Sequence, residues 1–342
     1  MLYCFFFITV FIGLSHPKSK YVAMWVFVFS WLLFAGNDNN NDFLEYKEKY
    51  EYLDKDVLLE PGYGLLNYLF RSLGFDFMMF KALISFLGLL LIYRTIWKLT
   101  DYKALVATLY LIYPFIIDIT QIRNFIASSI VIFAIPLLFQ KGISSIFKYV
   151  AFVLTAATVH SAAFFYLVFI VAKRKIGIRL ILIGLAAVVS IKVTVYSLFQ
   201  ARFETEKLDV YEKPSIVGGL IMAFLICITA YVIIQLSKRR NKSESQSGSL
   251  SSAFVNERIW PNIAMLTILI VPLCFDNASF TRIYRNLILF NMLFVANAYY
   301  IKWQRRKLLI TLFMLYFTSS YVLGTGWEYV VSPIFSYNIF LK

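Results

Sequence analysis

The sequence predicts an all-α polytopic membrane protein, and three observations carry that prediction. Hydrophobic residues make up 60% of the 342 positions, charged residues only 15%, and the mean hydropathy is +0.72. A soluble chain of this length needs far more polar surface to cover its core. The apolar residues fall into successive blocks of ~15–25, close to the ~20 residues that cross a hydrocarbon layer of ~30 Å. Between those blocks the basic residues cluster, as they do in cytoplasmic loops beside a bilayer. Disorder, a secreted disulfide scaffold and a soluble nucleotide-binding enzyme are excluded at this point. The net charge of +14 is distributed as membrane-flanking clusters and not as a nucleic-acid face.

Read in order, the blocks are Leu2–Ser15, Tyr21–Gly36, Phe77–Trp97, Lys103–Ile119, Asn124–Phe139, Phe147–Ala172, Ile176–Phe199, Ile216–Leu236, Ile259–Phe275, Ile283–Ile301 and Leu308–Leu323, about 11 helical segments. The first has neither a basic n-region nor an A-x-A-like cleavage site, and its first positive charges, Lys18 and Lys20, follow it. It reads as a retained helix with its N-terminus outside. Cys4, Cys227 and Cys274 lie in or at the edge of apolar blocks with no pairing or metal spacing, and read as small hydrophobic residues.

The block Phe147–Ala172 decides the topology. Its 26 residues are long for one crossing and short for two, and both of its ends are basic: Lys148 before, and Lys173, Arg174, Lys175 and Arg179 after. A single crossing would turn every later basic cluster outward, including Lys238–Arg240 and Arg305–Lys307. If the block instead enters and returns, the inside receives 20 of the 33 basic residues and three of the 19 acids. That asymmetry is what positive-inside sorting produces. The expectation is a broken or re-entrant hairpin at 147–172 with His160 at its outward tip. Backbone left unpaired at such a break is tolerated only against protein or a wet cavity, which is itself a sign of a site.

The whole chain, 1–342, reads as one integral membrane domain with two hydrophilic regions. Residues 37–76 form an external acidic loop with an amphipathic helix, in which Phe43, Tyr46 and Tyr50 fall at helical spacing. Residues 237–258 are a cytoplasmic linker, basic and then Ser/Gly-rich.

Ionisable groups beside apolar helices are costly, so their positions are informative. On the external side the topology gathers Glu60, Asp118, Gln121, Arg123, His160, Arg282, Tyr284 and Arg285. An arginine at a helix end commonly snorkels to the interface, a lone membrane histidine is commonly a packing residue, and Asp118 would serve as a simple partner for Arg123. Three arginines sharing one face with a histidine and several carboxylates instead suggest an anionic ligand, because the guanidinium fork matches phosphate oxygens. Histidine is the side chain that moves a proton near neutral pH. No P-loop, Gly-rich nucleotide motif or metal-ligand spacing is present in the sequence.

Four segments carry a resemblance to a known family. They are D-F-L-E-Y at 42–46 with E-P-G-Y-G-L-L-N at 60–67, I-R-N-F-I-A at 122–127, A-x-x-x-H-S-A-A at 156–163 and R-I-Y-R at 282–285. In order, spacing and sidedness they resemble the EpsG family of Wzy-type bacterial polysaccharide polymerases. The chain departs from the family pattern at Phe34–Gly36, where an arginine is common, and at Arg123–Asn124, where Arg-Gln is common.

The resemblance implies a multi-pass protein of the bacterial plasma membrane with its active site facing outside. Its substrate would be an oligosaccharide repeat unit on a polyprenyl diphosphate, and the growing glycan would pass to the next lipid-linked unit. Arg123, Arg282 and Arg285 would neutralise the diphosphate leaving group, and His160, Glu60 or Asp118 would take the acceptor proton. Asp42, Tyr46, Tyr63, Asn67, Gln121 and Tyr284 would bind sugar. No cofactor or metal is implied. The partners would be membrane lipids, with a flippase and a chain-length regulator as associated proteins. Two other classes use similar residues: a lipid-linked oligosaccharide flippase, which should show two similar halves, and a membrane O-acyltransferase, which should place a polar motif beside its histidine.

Overall fold

The computed structural model describes residues 2–52, 60–200, 216–240, 258–275, 280–299 and 327–340. Every regular element among them is helical, and the one β-type contact is an isolated antiparallel bridge between Asn37 and Asn338. The all-α expectation is met. The elements that matter for the site are α1 (Leu2–Ser15), α2 (Lys20–Gly36), α3 (Phe43–Glu51), α4 (Pro61–Ser72), α5 (Phe77–Leu99), α6 (Lys103–Tyr110), α7 (Ile116–Asp118), α8 (Ile122–Ala134) and α9 (Ile143–Val159). A 3₁₀ arm, Ser161–Lys173, follows. Then come α10 (Ile178–Gln200), α11 (Ile216–Arg240), α12 (Ile259–Leu266), α13 (Val271–Cys274), α14 (Thr281–Arg285), α15 (Ile288–Tyr299) and α16 (Ser332–Ser336).

Three stretches among the described residues are long and apolar enough to cross a membrane alone: Phe77–Leu99, Ile122–Phe139 and Ile216–Lys238. Other expected segments are shorter or change helical type. The block at 103–119 is kinked at Tyr113, whose φ/ψ leave the helical region just before Pro114. The helix after Arg123 tightens into a 3₁₀ turn over Ile135–Phe139, where Pro136 removes a backbone donor. The segment expected at Leu308–Leu323 lies outside the described residues, as do 53–59 of the acidic loop and 241–257 of the linker.

The hairpin is present, with wider limits than 147–172 and an unexpected second arm. The helix α9 ends at His160, which is extended at φ −150° and ψ 114°, and the chain returns as 3₁₀ helix. Tyr149 donates to the carbonyl of Tyr166 at 2.7 Å, and Lys173 reaches back to the carbonyl of Gln140 at 2.7 Å, so the arms run antiparallel. Their lengths agree. Seventeen α-helical residues rise about 26 Å, and thirteen 3₁₀ residues also rise about 26 Å. The 3₁₀ stretch, far longer than the usual few residues, lets a short sequence cover the same depth as α9.

Helix ends sort into two poles. At the basic pole Lys18 lies 5.0 Å from the Tyr102 ring centroid, and Asn262 donates to the carbonyls of Ala172 and Arg174 at 2.8 Å. At the acidic pole lie the end of α2, α3, the start of α4, the His160 turn, the start of α8 and α14. The C-terminal segment also returns here: Asn37 donates to the Tyr337 carbonyl at 2.8 Å, and Tyr3 stacks on Phe335 at 4.5 Å. Lys81, buried near the start of α5, donates to the Asn37 carbonyl and ties that junction down.

Candidate active site

The helix α4 brings the first carboxylate into place. Glu60 sits at its N-cap, and Pro61 in the first turn leaves no backbone donor there to satisfy. The Glu60 backbone carbonyl accepts from Tyr63 at 3.1 Å and Gly64 at 3.2 Å, while its side chain makes no cap. The carboxylate is therefore released to face α9. Gly62 makes the approach possible, since a Cβ there would run into the Thr158 hydroxyl and lie 2.9 Å from the Thr158 carbonyl carbon.

Glu60 joins three groups from two other elements. One oxygen meets His160 Nδ1 at 2.7 Å and accepts from the Ser161 backbone N–H at 3.2 Å. The other accepts from Arg123 Nη1 at 2.7 Å. The break at His160 is what frees the Ser161 N–H for this bond. Burial pushes the Glu60 carboxyl up, but the bond from His160, the charge of Arg123 and the Ser161 N–H together outweigh it. They hold the group below the usual carboxylate value. It is an anion at neutral pH, and a carboxylate at Nδ1 favours the tautomer in which Nε2 carries the lone pair.

Arg123, at the second position of α8, is cradled by aromatic rings. Its guanidinium lies 5.5 Å from the Tyr46 centroid and 6.0 Å from the Tyr63 centroid, and those two rings meet edge-on at 6.1 Å. The expected spacing on α3 is realised, with Phe43, Tyr46 and Tyr50 all buried. Tyr46 and Tyr63 thus act on the arginine as well as bordering the site. Burial raises the Asp42 carboxyl and Glu45 adds to it, while Arg282, Arg123 and Lys49 oppose them. Arg282 lies on α14, three residues before Arg285.

A second cluster is more deeply buried. Arg285 Nη2 donates to Gln121 Oε1 at 2.5 Å and to Asp118 Oδ1 at 3.4 Å, and Tyr110 donates to Asp118 Oδ2 at 3.2 Å. Asp118 is therefore the partner of Arg285, and Arg123 takes Glu60 in place of the Asp118 pairing weighed from sequence. Asn67 lies buried one turn beyond Tyr63 on the inner face of α4. Tyr284 is 1% exposed, with its hydroxyl 3.5 Å from Asn291 Nδ2 in the core. Both Arg123 and Arg285 keep a buried Nε–H with no acceptor among the described residues. Among the described residues no three His, Cys, Asp or Glu side chains gather as a metal site would need.

Sequence reasoning gave no site role to Tyr110, Tyr166, Asn124, Asn286 or Gly62. The Arg-Asn dipeptide at 123–124, repeated at 285–286, was the available signal for the two asparagines.

The arrangement can do two things at one place: hold a carboxylate-supported imidazole, and present guanidinium groups to an anion. A model of the EpsG family matches residues 20–339, nearly the whole chain. No curated protein and no solved structure matches it.

Proposed function

The chain belongs to the EpsG family of Wzy-like polymerases, and from that premise we propose that it polymerises lipid-linked glycan repeat units at its acidic pole, facing out from the bacterial plasma membrane. The observation that supports this best is the single carboxylate of Glu60 bonded at once to Arg123 and His160. In this reading the acceptor is a hydroxyl of one polyprenyl diphosphate-linked repeat unit. The donor is the growing chain on another.

The reaction forms a C–O bond between the acceptor oxygen and the donor's anomeric carbon, and breaks the bond from that carbon to the diphosphate. The acceptor proton passes to Nε2 of His160. The imidazolium that results is stabilised by Glu60 at Nδ1, a carboxylate kept charged by Arg123 and the Ser161 N–H. The departing polyprenyl diphosphate gains negative charge, which Arg123 and Arg282 offset. The proton then leaves with the diphosphate or to solvent. Asp42, Tyr46, Tyr63 and Asn67 border the sugar path, with Asp118, Gln121 and Arg285 beneath it as the support of that wall. The energy comes from the glycosyl–diphosphate bond, so no nucleotide takes part. A flippase upstream and a chain-length regulator alongside are the protein partners this role calls for.

The test is metabolic labelling of cells with and without the chain. Single repeat units that still reach the surface without polymer support a polymerase. Units trapped inside the cell would identify a flippase instead.

A further inference from the structure

Arg123 and Arg285 are each followed by an asparagine, and those two asparagines meet. Asn124 Nδ2 donates to Asn286 Oδ1 at 3.3 Å and Asn286 Nδ2 donates to Asn124 Oδ1 at 3.1 Å, a reciprocal amide pair between α8 and the end of α14. Asn286 Nδ2 donates also to the hydroxyl of Tyr166 at 3.0 Å, and that hydroxyl donates to the carbonyl of Ile283 at 2.9 Å. Tyr166 stands six residues beyond His160 on the same 3₁₀ arm. All three side chains are at least 95% buried.

The donors of Tyr166 and Asn286 are all accounted for. Tyr166 has one proton, committed to the Ile283 carbonyl, so it must accept from Asn286. Asn286 has two amide protons, one for Tyr166 and one for Asn124, and its oxygen takes the proton of Asn124. Each bond therefore determines the orientation of the next. A partner removed here leaves a buried polar group unmet, which carries the full desolvation penalty. The backbone of Asn286 also donates to the Arg282 carbonyl at 3.1 Å, which closes the turn carrying both arginines. Three elements meet at this hub: α8 with Arg123, α14 with Arg282 and Arg285, and the hairpin arm that begins beside His160.

We propose that Asn124, Asn286 and Tyr166 are positioning residues that set the separation between the arginine-bearing helix ends and the His160 turn. None of them touches Glu60, His160 or Arg123 through the bonds above, so they act through the elements they join. That the separation governs polymer formation rests on the polymerase reading; that it is set by this hub does not.

The experiment has two readouts. In a chain with Cys4, Cys227 and Cys274 replaced by alanine, spin labels are placed at Phe164→Cys and Phe280→Cys, both exposed positions on the arm and beside α14, and their distance distribution is measured. Tyr166→Phe and Asn286→Leu should broaden it. Tyr149→Phe, which also removes a buried tyrosine bond but within the hairpin alone, should leave it narrow. In cells, Tyr166→Phe and Asn286→Leu should lower polymer per unit protein by about 10²-fold, the scale of an ångström misplacement, while Tyr149→Phe should stay near the parent. The double Asn124→Leu/Asn286→Leu variant should be no worse than its worse single, because either change removes the same pair. A distribution that stays narrow in Tyr166→Phe and Asn286→Leu overturns the proposal, as do losses that multiply in the double variant. Broadening by the hub variants of a parent chain that supports no polymer leaves the hub standing and removes the polymerase reading.

Discussion

Glu60 and Arg123, 63 residues apart in sequence, meet through Oε2 and Nη1 at 2.7 Å, while the second oxygen of the same carboxylate holds His160. One group thereby sets the position of a fixed positive charge and the orientation of an imidazole ring. Its removal should affect both, and in ways that can be told apart.

Glu60→Gln keeps the shape and loses the charge. Polymer per unit protein should fall by ~10²–10⁴, the range for general acid–base support. The stability of the folded chain should also change its acid dependence. The folded carboxyl is held below its ordinary value of 4.5, so its contribution is present above that value and lost as the pH falls through the folded one. Asp42, whose carboxyl is raised, has the opposite sign, contributing most below its ordinary value and less as the pH rises. The Glu60 effect is therefore read as a difference. Thermal unfolding in detergent between neutral pH and pH ~3.5 should show a steeper acid loss in the parent than in Glu60→Gln. Parallel curves would deny the carboxylate its charged, bonded state.

His160→Gln retains a hydrogen-bonding side chain at Glu60 but cannot titrate. It should be as severe for polymer formation as His160→Ala. Near-normal polymer with an unchanged pH dependence would make His160 a packing residue of the hairpin turn.

The two paired arginines should separate by readout. Arg123 is half-buried and stacked by Tyr46 and Tyr63, and Arg123→Ala should cost ~10²–10³ in rate at near-normal protein level. Lysine there should restore only part, since an ammonium lacks the planar fork. Arg285 is 6% exposed and bonded to Asp118 and Gln121. Breaking a buried pair of this kind costs about 3–5 kcal/mol, so Arg285→Ala should reduce the amount of folded protein together with polymer. Equal protein levels for the two variants would contradict the division.

Gly62→Ala should act at a distance from any reacting atom. Its methyl group would force α4 away from Thr158 and lengthen the Glu60–His160 contact, for an expected loss of about 10²-fold in polymer. Gly177→Ala, where no described residue lies within 4 Å of the added atom, should be neutral or stabilise by ~0.4–1 kcal/mol. A Gly62→Ala chain with parental activity would show that the close crossing is not needed.

Sidedness is tested with single cysteines and an impermeant thiol reagent on intact cells. Glu51→Cys, exposed on α3 at the acidic pole, should react, and Lys141→Cys, exposed at the basic pole, should not. The reverse pattern would turn the site to the cytoplasm.

Composition and block length by themselves determined that this chain is a helical membrane protein, since only closed backbone hydrogen bonding survives in hydrocarbon. The basic ends of 147–172 and their charge asymmetry led to the break at His160, because loop charge is legible residue by residue. Tertiary structure alone decided the pairings. The sequence offered Asp118 as the partner of Arg123, and the structure pairs Arg123 with Glu60 because Gly62 lets α4 close on Thr158 while Arg285 occupies Asp118. The 3₁₀ arm and the Asn124–Asn286–Tyr166 hub were equally hidden. Membrane helices are apolar nearly all round, so periodicity does not say which faces meet. The few polar side chains find their partners only once the helices have packed.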